Sequence, residues 1–197
     1  MNYNETKNYL KRYLKARIPV IVLNTVEKNR AIRLLKEITN ETNYNFSLYQ
    51  MSQGMSDLKT GTIKSEDKTI MSALEYISNE IKHQENTNFI LTDLSDINES
   101  TLVSRYLADA IEKAETMSGC IIIITGEPVW QNINRLGISI KLAYPTESEL
   151  EETIINTISP YKNQIQIEWD ELDYKNAATF LQGLSELEAW LKEMELN

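Results

Sequence analysis

Cysteine and histidine are almost missing from this chain: Cys120 and His83 are the only ones among 197 residues. Zinc and iron–sulfur sites need several such ligands, so neither can be assembled from this sequence. A single histidine, with no nucleophile tied to it in sequence, also argues against a histidine-activated triad. Glycine and proline are scarce too, at six and four residues, which excludes collagenous and low-complexity chains. No apolar run approaches the roughly 20 residues that cross a bilayer. The opening stretch "MNYNETKNYLKRYLKARIPV" does not read as a basic-then-apolar leader, being amphipathic from the start. The expectation is a soluble, cytoplasmic protein. Positive charge is also short, 20 Lys and Arg against 29 Asp and Glu, for a net charge of −9. Nucleic-acid binding leans on neutralising phosphates and is not expected of such a chain.

What is present suits one compact domain with a small helical appendix: 42% of residues are hydrophobic and 25% charged. A core of this size needs no disulfide or metal. Residues 1–40 hold nine Lys and Arg against three Glu; these basic segments either meet an acidic partner or are solvated faces.

Tyr9, Leu10, Tyr13 and Leu14 share one face of a helix over 4–16. "PVIVLN" is a buried strand. A helix over 25–40 follows, with Thr25 as its cap and Ala31, Leu34, Leu35 and Ile38 as its apolar stripe. "YNFSLYQ" (44–50) is a second strand, and 51–66, with two glycines and much Ser, Thr and Lys, reads as an exposed loop. A helix striped by Ile70, Leu74, Ile77 and Ile81 ends near His83, a helix-terminal cation. A strand over 88–94 comes next, then a helix with Leu102, Tyr106, Leu107, Ala110 and Ile111 facing inward. "CIIIITGE" has no polar alternation, so both faces of that strand are covered and Cys120 is a buried packing residue. "GISIKLAY" is a fifth strand, and Thr146 with Glu149 caps the helix after it.

Strands alternating with helices at this spacing predict a three-layer α/β/α sandwich on a parallel sheet of about five strands. The tail predicts two helices split at Gly183. The second is capped by Ser185 and Glu188 and striped by Leu184, Leu187, Leu191 and Met194. We therefore divide the chain into an α/β core, 1–159, and a small lid-like helical subdomain, 160–197.

The stretch "FILTDLSD" (89–96) raises a chemical question. In nucleotide hydrolases a buried strand often ends in this way, its carboxylate aimed at magnesium. Such an Asp93 requires a phosphate loop of the pattern G-x-x-x-x-G-K-[ST] after the first strand. There the glycines let backbone N–H groups wrap the phosphates, and the lysine reaches the terminal ones. Here that junction is "VLNTVEKNRAIR", with no glycine at all and with Glu27 at the helix start, where the anion would sit. The decoy "GTIKS" (61–65) has Ile63, not glycine, directly before its lysine, Gly54 lies upstream at the wrong distance, and the segment does not follow the first strand. The residue after Asp93 is Leu94, where a hydrolase wants a glutamate to orient water. Asp93 is either a magnesium ligand or a residue that caps the next turn.

Together these pieces resemble an AAA-type core of the P-loop NTPase fold with its phosphate site erased. The resemblance rests on "FILTD", on "IIIITGE" at the position of a sensor strand, and on "NRLGISIKLAYPTESELEETI". It also rests on "LQGLSELEA" in the lid. More narrowly, the chain is similar to the degenerate, motif-free N-terminal domain of the AAA-domain ATPases of cyanobacteria, chloroplast genomes and other bacteria. The stretches that carry this are "LKARIPVIVLNTVEKNRAIRLLKEI", "FILTDLSDI", "IIIITGEPVWQNINRLGISIKLAYPTESELEETI" and "AATFLQGLSELEAWL", within about residues 8–192.

The resemblance implies three candidate site residues: Asp93 beside a magnesium site, Thr125 as a γ-phosphate sensor, and Arg135 as an arginine finger acting on a neighbouring subunit. The plain alternative for Thr125 is a bond to local backbone, and for Arg135 a surface residue closing a turn. Trp130, Trp169 and Trp190 are either partner anchors or core. The expected function is a non-catalytic pseudo-AAA module with no catalytic, cofactor or metal residues of its own. ATP and magnesium are then expected only in an AAA ATPase domain of the same longer chain or another subunit, with an oligomer in prospect. The alternatives are an ATP-binding enzyme with a non-standard phosphate site, another hydrolase in the sheet's C-terminal crevice, and a clamp-loader-like subunit that binds no ATP.

Overall fold

The computed structural model describes residues 1–159 and 169–181. Described residues fall into two compact units, one running from Tyr3 to Leu142 and a second after Leu142.

The first unit is built on a seven-stranded sheet. Five strands are parallel: β1 (Val20–Asn24), β2 (Phe46–Gln50), β5 (Asn88–Leu91), β6 (Cys120–Thr125) and β7 (Ile138–Lys141). Two more, β3 (Gly54–Asp57) and β4 (Ile63–Ser65), add antiparallel at one edge, and the order is β4-β3-β2-β5-β6-β1-β7. The expected parallel strands are thus all present. The segment 51–66 is a correction: it is not an open loop but the β3–β4 meander. Its glycines are the turns of that meander. Gly54, at φ +82°, lies so close to β4 that a Cβ would sit 2.3 Å from the Ser65 carbonyl oxygen. Gly61, at φ +73°, closes the β3–β4 turn, where Asp57 Oδ1 accepts the N–H groups of Lys59 and Thr60.

Alternation along the strands sorts the core into two faces. Ile21, Leu23, Leu48, Ile122 and Ile124 pack on α1 (Tyr3–Lys15) and α2 (Lys28–Glu41) through Leu10, Leu14, Leu34, Leu35 and Ile38. Val20, Val22, Phe89, Ile121 and Ile123 pack on α3 (Ile70–His83) and α4 (Leu102–Thr116) through Leu74, Ile77, Ile81, Leu107 and Ile111. Each of these buried Leu and Ile side chains stabilises the fold by about 1.5–3 kcal/mol. Because helices cover both faces, "CIIIIT" is apolar throughout and every residue of β6 is buried.

Several local expectations shift. Leu102 and Tyr106 do not face inward; they are exposed on the first turns of α4. Thr25 is not the cap of α2, which starts at Lys28 with Glu27 as N-cap; the Thr25 hydroxyl instead accepts the Glu27 N–H at 3.1 Å. Two basic residues of α1 are matched within the unit: Lys7 bridges Glu37 (2.7 Å) and Glu41 of α2, and Lys11 also reaches Glu41. A one-turn helix, α5 (Gln131–Asn134), stands between β6 and β7 and has no counterpart in the sequence reading.

The second unit holds α6 (Glu147–Ile158) and α7 (Glu171–Phe180). Thr146 and Glu149 do form the capping box of α6. Leu150, Ile154 and Ile158 meet Tyr174, Ala178 and Leu181, with Trp169 edge-on to Tyr174. The break at Gly183, the expected second tail helix with its Ser185 and Glu188 cap, and Trp190 lie outside the described residues.

Candidate functional site

β1 lies between β6 and β7, although β2 follows it in the chain. The chain therefore leaves the carboxyl ends of β1 and β6 in opposite directions across the sheet, the kind of switch point where open α/β sheets form a ligand crevice. Three segments meet at this edge: the β1–α2 junction, the turn after β5 and the turn after β6. The first two are tied by an ion pair, and the first and last by a bond from the Thr25 N–H to the Thr125 carbonyl, 2.9 Å.

The junction is filled by side chains. Glu27 stands at the amino terminus of α2, where exposed N–H groups and the helix dipole favour an anion. Its carboxylate makes no cap bond to those groups but brings a negative charge to the junction, where it accepts from Arg30 Nη1 at 2.7 Å, one turn on. This pair is almost fully buried, its two side chains 5% and 2% exposed. The Arg30 guanidinium also lies over the Tyr3 ring, 5.4 Å from its centroid.

Asp93 follows directly on the buried Thr92 at the end of β5, in a left-handed conformation (φ +58°) that aspartate tolerates better than most residues. Lys28 Nζ donates to its Oδ1 at 2.7 Å, and the Thr92 hydroxyl donates to its Oδ2 at 3.0 Å. Partial burial pushes the Asp93 carboxyl up, but the Lys28 ammonium, the Thr92 hydroxyl and the Met51 N–H together hold it below the usual carboxylate range. Both of its oxygens therefore have protein partners.

The other two candidates do not join this cluster through any side-chain bond. Thr125 Oγ1 accepts the Glu127 N–H at 2.9 Å, within its own turn. Arg135 is exposed as the C-cap of α5, and its backbone N–H donates to Gln131. Sequence reasoning missed Lys28 and Arg30. An acidic and a basic residue three apart at a helix start was a legible signal for Glu27 and Arg30. Nothing in the sequence linked Lys28 to Asp93, which are 65 positions apart.

No group of three or more His, Cys, Asp or Glu side chains that would hold a metal occurs among the described residues. A magnesium-bound triphosphate does not fit the residues present. Laid against the junction, it would meet the Glu27 carboxylate and have to break the Lys28–Asp93 pair, with no bare glycine backbone to receive it.

Compared with known families, residues 6–133 match the model of the SpoVK-like AAA ATPase N-terminal domain, which is well over half of the chain. The chain belongs to this family. This SpoVK-like domain has no match among curated proteins. Its fold is shared with solved structures of low identity. It aligns with C. elegans PCH-2 at TM-score 0.61 and 9% identity, over 94% of this chain and 60% of that one. With domain III of the Thermotoga maritima replication initiation protein DnaA the score is 0.56 at 14% identity, over 94% of this chain and 79% of that one. With a chain of the E. coli MS115-1 HORMA:CdnC:Trip13 complex it is 0.56 at 9% identity, over 89% and 72%. Such identities speak for the fold alone: a three-layer α/β/α architecture of the AAA+ and P-loop NTPase type.

Proposed function

We propose that this SpoVK-like domain is a non-catalytic AAA-like module. In this reading it assembles with, or regulates, an ATP-hydrolysing AAA domain in the same longer chain or in another subunit. The observation that carries the reading is the ion pair from Lys28 to Asp93 beside the buried Glu27–Arg30 pair. A nucleotide site presents its lysine and its magnesium carboxylate to the ligand; here the two groups spend their charge on one another. Family membership as an N-terminal domain supports the presence of an ATPase partner. The narrower likeness to cyanobacterial and chloroplast-genome proteins, in which a motif-free domain precedes an intact one, belongs to the same proposal. So do the division into a core over 1–159 with a lid-like remainder, and a cytoplasmic setting. No described helix is long and apolar enough to cross a membrane.

Differential scanning fluorimetry with Mg-ATP and Mg-ADP tests the reading. No shift in midpoint is expected, because the ligand gains no differential affinity for the folded state. A saturable upward shift would move the assignment to an ATP-binding enzyme. In the protein carrying its ATPase domain, Arg135→Ala separates the two roles open to that residue. As a finger in trans, its loss would cut turnover by about 10³-fold or more with nucleotide affinity spared. As a turn-closing residue, its loss leaves turnover unchanged.

A further inference from the structure

At the opposite, amino-terminal edge of the same sheet lies a cavity of about 540 Å³, within the first unit and unrelated to the Lys28–Asp93 cluster. Its volume falls in the range of small-molecule sites. The first residues of β2 and β5, Phe46 and Phe89 among them, line it. Its rim is held together from within: the Asn88 carboxamide, buried beneath it, donates to the carbonyls of both Asn45 and Asn86 at 3.2 Å.

Three charged side chains line this cavity, and they differ in how far they are already satisfied. Lys64 donates to Ser47 Oγ at 2.8 Å and lies 3.7 Å from Asp57, so it is largely engaged. Arg17 makes a single long bond, 3.4 Å to the Ser118 carbonyl. Glu80 makes no side-chain hydrogen bond or ion pair among the described residues. Arg17 and Glu80 are therefore opposite charges on one cavity that do not neutralise each other. Around them stand side-chain amides that each offer a donor and an acceptor, Asn43, Asn45 and Gln84 among them. Thr87 also lines the site, but its hydroxyl oxygen is buried away from it and is the one buried side-chain polar atom among the described residues without a hydrogen-bond partner.

We infer that this cavity binds a small zwitterion of the α-amino-acid class. The carboxylate goes to Arg17, as a guanidinium fork favours, the ammonium to Glu80, and the ligand's remaining polar atoms to the amides. A simple anion fits less well because Glu80 would repel it, and a simple amine because Arg17 would.

The test is a titration of the isotope-labelled protein with each common free amino acid at millimolar concentration, following the backbone amides of 43–47 and 84–89 by NMR. Saturable shifts with at least one amino acid are expected. Arg17→Gln and Glu80→Gln should each weaken binding about tenfold or more. The N-acetylated, amide-capped form of the same amino acid should not bind. The assignment is overturned if no amino acid gives saturable shifts, or if inorganic phosphate or the capped form binds as tightly.

Discussion

Two ion pairs sit a few residues apart at the start of α2 and differ in energetic weight because they differ in exposure. The Glu27–Arg30 side chains are 5% and 2% exposed, whereas those of Lys28 and Asp93 are 39% and 29% exposed. In Glu27→Ala the guanidinium would stay buried without the carboxylate that offsets most of its desolvation. Chemical denaturation should show that variant destabilised by about 3–5 kcal/mol. Water screens the Lys28–Asp93 pair, so a double-mutant cycle on it should return a coupling below about 1 kcal/mol. A large coupling there together with a silent Glu27→Ala would reverse this ranking. The Lys28–Asp93 pair is thus cheap to break, and in the proposed reading the buried acid and the lack of glycine weigh more against a phosphate than that pair does.

The β1–β7 pairing shows how a single backbone contact holds a whole strand in place. Gly137, just before β7, runs so close to β1 that a Cβ there would lie 1.9 Å from the Val20 carbonyl oxygen. Backbone cannot yield as a side-chain tip would, so Gly137→Ala must displace β7 or the start of β1. Thermal or urea unfolding should register a loss of about 3 kcal/mol or more; a near-neutral variant would mean that the two strands are not held in this register. Long elements were legible because their periodicity is strong, as in α3 with Leu74, Ile77 and Ile81 all buried. The meander of β3 and β4 was not legible. Its strands have four and three residues, too few to show alternation, and they exist by pairing with β2 and with each other. In α4, Leu102 and Tyr106 fit the helical pattern but stand outside the buried stripe of Leu107, Ala110 and Ile111, since a pattern names a face and not its neighbour.

Over the whole molecule, several carboxylates are held in their charged form by the fold, and this sets its response to acid. Asp93 is joined by Asp57, where the N–H and hydroxyl donors of Thr60 and the Lys59 N–H outweigh partial burial. Bonds from Thr69 and Ser72 likewise depress Asp67, and bonds from Lys11 and Lys7 depress Glu41. A carboxyl whose value is lower folded than unfolded stabilises the native state above its unfolded value, and that contribution disappears as pH falls through the folded one. The melting midpoint should therefore hold steady near neutrality and fall once the pH drops below about 4. A midpoint that is flat, or that rises, down to about pH 3 would show that these bonds do not form in solution.

The order of elements, the two-sided burial of "CIIIIT" and the absence of a glycine phosphate loop could all be read directly from the residues, because each depends on local covalent chemistry or on short-range periodicity. The partner of Asp93, the edge meander and the cavity beneath Thr87 could not. The meander's strands are too short to show alternation and exist only by pairing at the sheet edge, whereas the other two depend on which segments the sheet order β4-β3-β2-β5-β6-β1-β7 brings side by side, and contacts between residues dozens of positions apart come into being only when the chain packs.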